Sequence, residues 1–183
     1  MATGFTLEEL TRHRFRPGLL LRALEEHTAL KENERKEDGF ASYEAKAEFH
    51  WVFWLKARAL IELGRYEDAE QALLYLLDVF KDDQELCPVQ NIPFGTREEL
   101  VIQQILGADV YMPSGRYAEA KTAFERYIAL LTPEILERMP ERIRKAHERG
   151  VSETYPRMIS ECEEQLRKVS TEEQDGDAPA ERD

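Results

Sequence analysis

The 183-residue chain is 42% apolar or aromatic and 34% charged, with 9 glycines and 8 prolines, a composition that supports a sizeable core and excludes collagen-like and wholly disordered polymers. Its 37 acidic against 25 basic residues leave a net charge of −12, which disfavours nucleic acid and anionic membranes and makes another protein the expected partner. The two cysteines, Cys87 and Cys162, are too far apart and too isolated to be read as a disulfide scaffold or a zinc module.

Helical period and good helix formers dominate, so the expected fold is all-α. Thr6 with Glu9 reads as a capping box that opens a short helix. Pro17 suits the first turn of a second helix that runs to about Asp38 and stops before Gly39. Its early part offers Leu19, Leu20, Leu21, Leu24 and Leu30 for docking, and Lys31 to Asp38 reads as a solvated end. Ser42 is expected to cap a helix over Tyr43 to Leu63, and Gly64 supplies a tight turn. Tyr66 to Phe80 then carries Ala69, Ala72, Leu73, Leu76, Leu77 and Phe80 at helical spacing, which predicts an antiparallel hairpin.

Residues 81–95 hold Pro88, Asn91, Pro93 and Gly95 and read as a loop, closed by a Thr96–Glu99 capping box. Apolar Cys87, Val89, Ile92 and Phe94 make it more than a spacer, and Ile92 and Phe94 are expected to pack on the following hairpin or on a partner. A helix from about Arg97 to Met112, a turn at Pro113 to Gly115 and a helix over Tyr117 to Leu131 repeat the pattern. Thr132 and Pro133 start a further helix that Pro140 breaks and that ends near Gly150. A last helix from Tyr155 to Lys168 presents Met158, Ile159, Cys162 and Leu166. From Val169 to Asp183 six acids, one arginine and almost no apolar residue predict an acidic disordered tail.

One internal match stands out: Gly64-Arg65-Tyr66-Glu67-Asp68-Ala69 against Gly115-Arg116-Tyr117-Ala118-Glu119-Ala120, offset by 51 residues. Ala57, Leu60, Gly64, Tyr66, Ala69, Leu73 and Leu76 in the first copy, and Ala108, Tyr111, Gly115, Tyr117, Ala120, Phe124 and Ile128 in the second, with Pro133 after it, resemble the tetratricopeptide repeat (TPR). The offset exceeds that family's period of about 34 residues, and the Pro-bearing loop absorbs the surplus. Phe53 and Lys56, and Gln104 and Gly107, stand where the family has its early Trp-Leu-Gly wording. The resemblance covers about residues 50–133. It implies helical hairpins stacked as a short right-handed solenoid over residues 42–132, with residues 1–41 as N-terminal helices, 133–168 as capping helices and 169–183 as the tail.

The resemblance further implies a concave groove lined by the first helix of each unit: His50, Trp51, Trp54, Arg58 and Ile61, then Ile102, Ile105, Asp109 and Met112. Such a surface suits a peptide or helix of a partner protein, with the tryptophans as anchors. The expected function is a non-catalytic interaction adaptor. The alternative is a structural subunit or assembly factor of a larger complex, its groove filled by its own helix of residues 17–38, which would make Trp51 and Trp54 core residues. Self-association is left open.

No phosphate loop, nucleophile elbow or dinucleotide fingerprint occurs. His13, His27, His50 and His147 are scattered, so no catalytic residue, cofactor or metal is expected. Of two basic patches, Arg12, His13, Arg14 and Arg16 are the denser; Arg138, Arg142, Arg144, Lys145 and Arg149 interleave with glutamates and read as exposed ion pairing. The longest apolar stretches, Trp51 to Leu55 and Ala72 to Leu77, fall far short of a membrane span. No signal or transit peptide is read at the N-terminus, and the expected location is the cytoplasm.

Overall fold

The computed structural model describes residues 17–176, all-α, in which one antiparallel bridge, Leu86 to Pro93, is the only β-type pairing among the described residues. The Thr6–Glu9 capping box, the cluster Arg12, His13, Arg14 and Arg16, and residues 177–183 of the expected tail lie outside the described residues. The chain divides into two compact units after Phe80. The division falls between the two hairpins that the repeat reading joins as 42–132: residues 17–38 go with the first hairpin, residues 133–176 with the second.

The first unit holds α1 (Pro17–Asp38), α2 (Tyr43–Glu62) and α3 (Tyr66–Phe80), with α1 and α3 both packed on α2. Ser42 caps α2 by accepting the Ala45 N–H at 3.2 Å. On α1, Leu20, Leu21 and Leu24 are buried, whereas Leu19 and Leu30 stay 55% and 41% exposed, so those two do not dock as expected. Nor is the charged end of α1 simply solvated. Lys31 reaches Glu48 on α2 at 3.1 Å, and Tyr75 on α3 donates to Glu32, which also holds Arg35 at 2.7 Å. Phe40, in the linker after Gly39, stacks on Phe80 with centroids 5.2 Å apart and meets Phe49 edge-on at 5.3 Å, which ties the linker to the core.

The second unit holds α4 (Phe94–Ile105), a π-helical turn (Leu106–Tyr111), α5 (Tyr117–Leu130), α6 (Pro133–Arg138), α7 (Glu141–Arg149), a second π-turn (Gly150–Thr154) and α8 (Tyr155–Gly176). The helix α4 starts at Phe94, not at Arg97, and the Thr96–Glu99 box is not its cap. Loop carbonyls replace it: the Phe94 N–H donates to Glu85 O at 2.8 Å and the Gly95 N–H to Asp83 O at 3.0 Å. Glu99 is free to pair with Arg126 on α5. The loop itself is ordered by Cys87 N–H to Ile92 O and Asn91 N–H to Cys87 O, both 2.8 Å, and buries Cys87, Ile92 and Phe94.

Both hairpins reverse in the same way. Arg65 N–H donates to Leu60 O and Gly64 N–H to Ile61 O, each at 2.9 Å, around Gly64 at φ +70. Arg116 to Tyr111 O at 2.9 Å and Gly115 to Met112 O at 3.1 Å repeat this around Gly115 at φ +76. These are Schellman closures, which need a left-handed residue after the helix and so favour glycine. The arginine that follows then pairs with an acid three residues on, Arg65 with Asp68 at 2.7 Å and Arg116 with Glu119 at 3.0 Å.

The two π-turns share a pattern, glycine followed six residues later by proline: Gly107 to Pro113 and Gly150 to Pro156. In each, the residue just before the proline donates its N–H to the glycine carbonyl, Met112 to Gly107 and Tyr155 to Gly150. A proline has no N–H and its ring collides with the carbonyl four residues back, and in both places the turn before it is widened; at Pro156 the helix then continues, whereas at Pro113 it ends in the Gly115 closure. The helix expected to end near Gly150 therefore does not end; α7 runs through the second π-turn into α8. That helix also continues beyond Lys168 to Gly176, so the segment from Val169 is helical at its start, where the tail expectation placed disorder.

Space is tightest at Gly107, where an added Cβ would lie 2.5 Å from the Phe124 ring, while Gly18, Gly64 and Gly115 have open space around them. Gly64→Ala and Gly115→Ala are expected to cost about 1–2 kcal/mol each for the left-handed backbone, and Gly107→Ala about 1–3 kcal/mol for overpacking. Gly18→Ala is the neutral control. Urea unfolding of the four variants checks this, and a Gly107 variant as stable as the Gly18 one would contradict the packing described. Exchange of residues 84–92 for a Gly-Ser linker of equal length is expected to lower the thermal midpoint by more than about 5 °C, because it deletes the buried Cys87 and Ile92.

Candidate functional site

Alternation on α2 sorts its residues by face. Val52, Phe53, Leu55, Ala57, Ala59 and Leu60 are buried, and the turn-spaced Trp51, Trp54, Arg58 and Ile61 share another face. On it the Trp51 and Trp54 rings stack, with centroids 4.9 Å apart and planes 15° apart. The Arg58 guanidinium sits 5.5 Å from the Trp54 centroid, and its nearest carboxylate, Glu62, is 3.9 Å away. Trp51, Trp54 and Ile61 are half-buried and Arg58 is exposed, with α1 seated on α2. The tryptophans are partly covered without being fully enclosed, and the Trp51 indole Nε1 is buried with no hydrogen-bond partner. His50, beside them in sequence, is buried.

The four groove residues expected in the second unit do not form a matching surface. Ile102 and Ile105 are buried, and only Asp109 and Met112, in and just after the first π-turn, are half-exposed. Ile102 and Ile105 face the core within the regular helix, and the π-turn that follows puts Asp109 and Met112 out of line with them. Helical spacing carried through residues 102–112 assumes 3.6 residues per turn, and a π-turn rotates every later residue to a new direction.

The residues picked as repeat packing lie as follows. Ala57, Ala69, Leu73, Ala120 and Phe124 are buried, Tyr66 and Tyr117 are half-buried, and Gly64 and Gly115 turn the chain. Ala108 is half-buried, and the close approach falls on its neighbour Gly107.

A second constellation was not anticipated in the sequence. Tyr127 on α5 places its Oη 2.5 Å from Nδ1 of His147 on α7, and its ring lies 4.3 Å from that of Tyr155, which in turn is 5.7 Å from Phe124. A Cβ on Gly150 would come within 2.8 Å of the Tyr155 ring, so the glycine makes room for it. Burial pushes both tyrosine hydroxyls up and the His147 imidazole down from their ordinary values. Tyr127 Oη and His147 Nδ1 form a pair within hydrogen-bond distance, and the imidazole tautomer decides which of them donates. Beside it opens a cavity of about 450 Å³, lined by Gln104, Tyr127, His147, Arg149, Thr154 and Tyr155 and edged by Ala146, Gly150 and Glu153. A Gly-x5-Pro spacing was the signal that could have drawn attention here.

Among the described residues no group of three His, Cys, Asp or Glu is placed to hold a metal, and no helix is long and apolar enough to cross a membrane. The tetratricopeptide-repeat family model matches residues 104–130, which span the end of α4, the first π-turn, the Gly115 closure and α5. The match falls within the second of the two segments on which the sequence resembles that family. No curated protein and no solved structure gives a significant match.

Because His147 is held below the ordinary histidine value, the folded state binds fewer protons there than the unfolded one. Stability is expected to fall as pH drops below about 6.5 and to level off below the folded value. The groups around the ring are Tyr127, Tyr155, Arg149 and Glu153. Urea unfolding at several pH values between 7.5 and 5 should show a shallower slope for His147→Gln than for wild type, and equal slopes would contradict the assignment.

Proposed function

We propose that the chain is a non-catalytic adaptor that holds a peptide or helix of a partner protein on the Trp51, Trp54, Arg58 and Ile61 face of α2. Tetratricopeptide repeats serve in general as scaffolds for protein interaction, and the match at residues 104–130 brings that general role to this chain. The observation that carries the finer reading is the stacked, partly exposed tryptophan pair with an arginine over the Trp54 ring. Two indoles in one patch remove more apolar surface from water on contact than any other pair of side chains, at little cost in rotamer entropy. Arg58, whose ion-pair contact with Glu62 is a loose 3.9 Å, offers a carboxylate of the partner a bidentate site. The occupant this chemistry fits is an amphipathic helix or extended segment with an aliphatic anchor and an acidic residue beside it.

The test is a displayed peptide library panned on the full chain, with the selected peptides measured against variants. Trp54→Ala and Arg58→Glu are expected to weaken them at least about tenfold, or 1.4 kcal/mol. Arg58 is exposed, so Arg58→Glu should leave the thermal midpoint nearly unchanged, whereas Trp54→Ala, which removes a partly buried ring, is read beside its own midpoint. Peptides that bind Trp54→Ala as tightly as wild type would overturn the assignment.

A further inference from the structure

The tryptophan face of α2 is one wall of a groove whose other wall is α1. On α1, Glu32 accepts from Tyr75 of α3, and Ala23, about two and a half helical turns back, points the opposite way, clear of α3. Leu19, His27 and Leu30 share the side of Ala23, with Leu19 and Leu30 exposed. On α2, Glu48 takes Lys31 of α1, and Phe53 meets the Tyr75 ring of α3. Trp51, Trp54 and Arg58 are turned from Phe53 by about a quarter turn or more. The two helices thus enclose a groove on the side that α3 does not cover, aromatic on one wall and aliphatic on the other.

The length of chain before α1, and the place where it joins, favour one occupant. The short linker makes α1 and α2 antiparallel, and His27 and Lys31 lie opposite Glu48. At about 1.5 Å of rise per residue in each helix, Pro17 comes level with roughly residues 58 to 62 of α2, at one end of the groove. Residues 1–16 are joined to the body there. Counted back along the groove from Pro17, Leu10 and Leu7 fall level with about Trp54 and Trp51. The sequence Leu7-Glu8-Glu9-Leu10 carries what the face fits, aliphatic anchors with an acid beside them. Thr6 with Glu9 is the capping box already noted, and Phe5 with Leu10 holds the positions of a hydrophobic staple, so Leu7, Leu10 and Thr11 share one helix face. The Arg58 guanidinium is drawn back over the Trp54 ring, to the level of Glu9. Arg12, Arg14 and Arg16 then follow toward the half-exposed carboxylate of Glu62.

We propose that residues 1–16 are the resident occupant of the α1–α2 groove, with Leu7 and Leu10 on Trp51 and Trp54 and Glu9 at Arg58, and that a partner's segment binds by displacing them. This assignment rests on reading the α2 face as a docking surface and adds its regulation. A segment tethered at the end of its site has an effective concentration on the order of millimolar, so contacts too weak to hold a free peptide suffice. The same segment of a second copy, at micromolar protein, is at a disadvantage of roughly a thousandfold.

Trp51 and Trp54 are the only tryptophans of the chain, so its indole emission reports on this face alone. In the full chain with Leu7→Asp and Leu10→Asp together, emission is expected to move to the red and acrylamide quenching to rise at least about twofold, with helical circular dichroism nearly unchanged. Thr11→p-benzoylphenylalanine, irradiated at micromolar concentration, should crosslink within one chain to residues 51–61. That variant keeps both leucines, so it decides the matter if the double variant fails to fold. Wild-type emission and quenching in a folded double variant, or crosslinks outside residues 51–61, would overturn the proposal. So would a product of twice the chain's mass, which assigns the groove to a second copy. Peptides selected on the α2 face should bind the double variant at least about tenfold more tightly than wild type, and equal binding would overturn the displacement. The expected crosslink, with no selected peptide that depends on Trp54, would keep residues 1–16 in the groove and overturn the partner-binding reading. Peptides that depend on Trp54, with no crosslink to residues 51–61, would do the reverse.

Discussion

Two helices that lie back against each other leave the carbonyls of the first helix's last turn without donors, and the chain must reverse while supplying them. In this protein a left-handed glycine does so twice. At Gly64 and Gly115 the glycine's own N–H and the next one point back, at Ile61 and Leu60 in the first closure and at Met112 and Tyr111 in the second. The reversal is then short enough for Ala69 and Ala120, five residues on in each case, to be fully buried. Remove the turn and the packing of α3 on α2, or of α5 on α4, loses its register. Everything described for either unit presupposes this closure.

Within the second unit a different constraint follows from proline. Pro113 and Pro156 each delete a helical donor, and the turn before each relaxes to the π form around a glycine. The two sites are linked through aromatic rings, since Phe124 lies over Gly107, Tyr155 lies over Gly150, and the two rings are 5.7 Å apart. Widening a helix shifts its side chains off their expected faces. The first π-turn moves Asp109 and Met112 out of line with Ile102 and Ile105, which precede it; beside the second lies the space lined by His147, Arg149 and Tyr155.

The α2 face and the cavity at α7 and α8 have opposite origins. The face is what an uninterrupted helix leaves over once α1 and α3 have covered the rest of it, and its character is aromatic with one cation. The cavity lies beside an irregularity in a helix, and its character is polar.

Much of this was legible in the residues. Helical period, the capping serine and threonine at Ser42 and Thr132, the break at Pro140 and the recurring Gly-Arg-Tyr-x-x-Ala all act within one or two helical turns, so local sequence suffices to predict the elements and the hairpins. The α2 face was legible for the same reason, because a regular helix converts spacing into direction. What the sequence could not specify depends on groups distant along the chain. Glu85 and Asp83 carbonyls start α4 three residues early, Tyr75 draws the charged end of α1 onto the body, and Tyr127 meets His147 twenty residues away. The π-turns sit between the two cases: their Gly-x5-Pro spacing is written in the sequence, but only packing of Phe124 and Tyr155 against the bare glycines decides that the helix widens and continues where it was expected to stop.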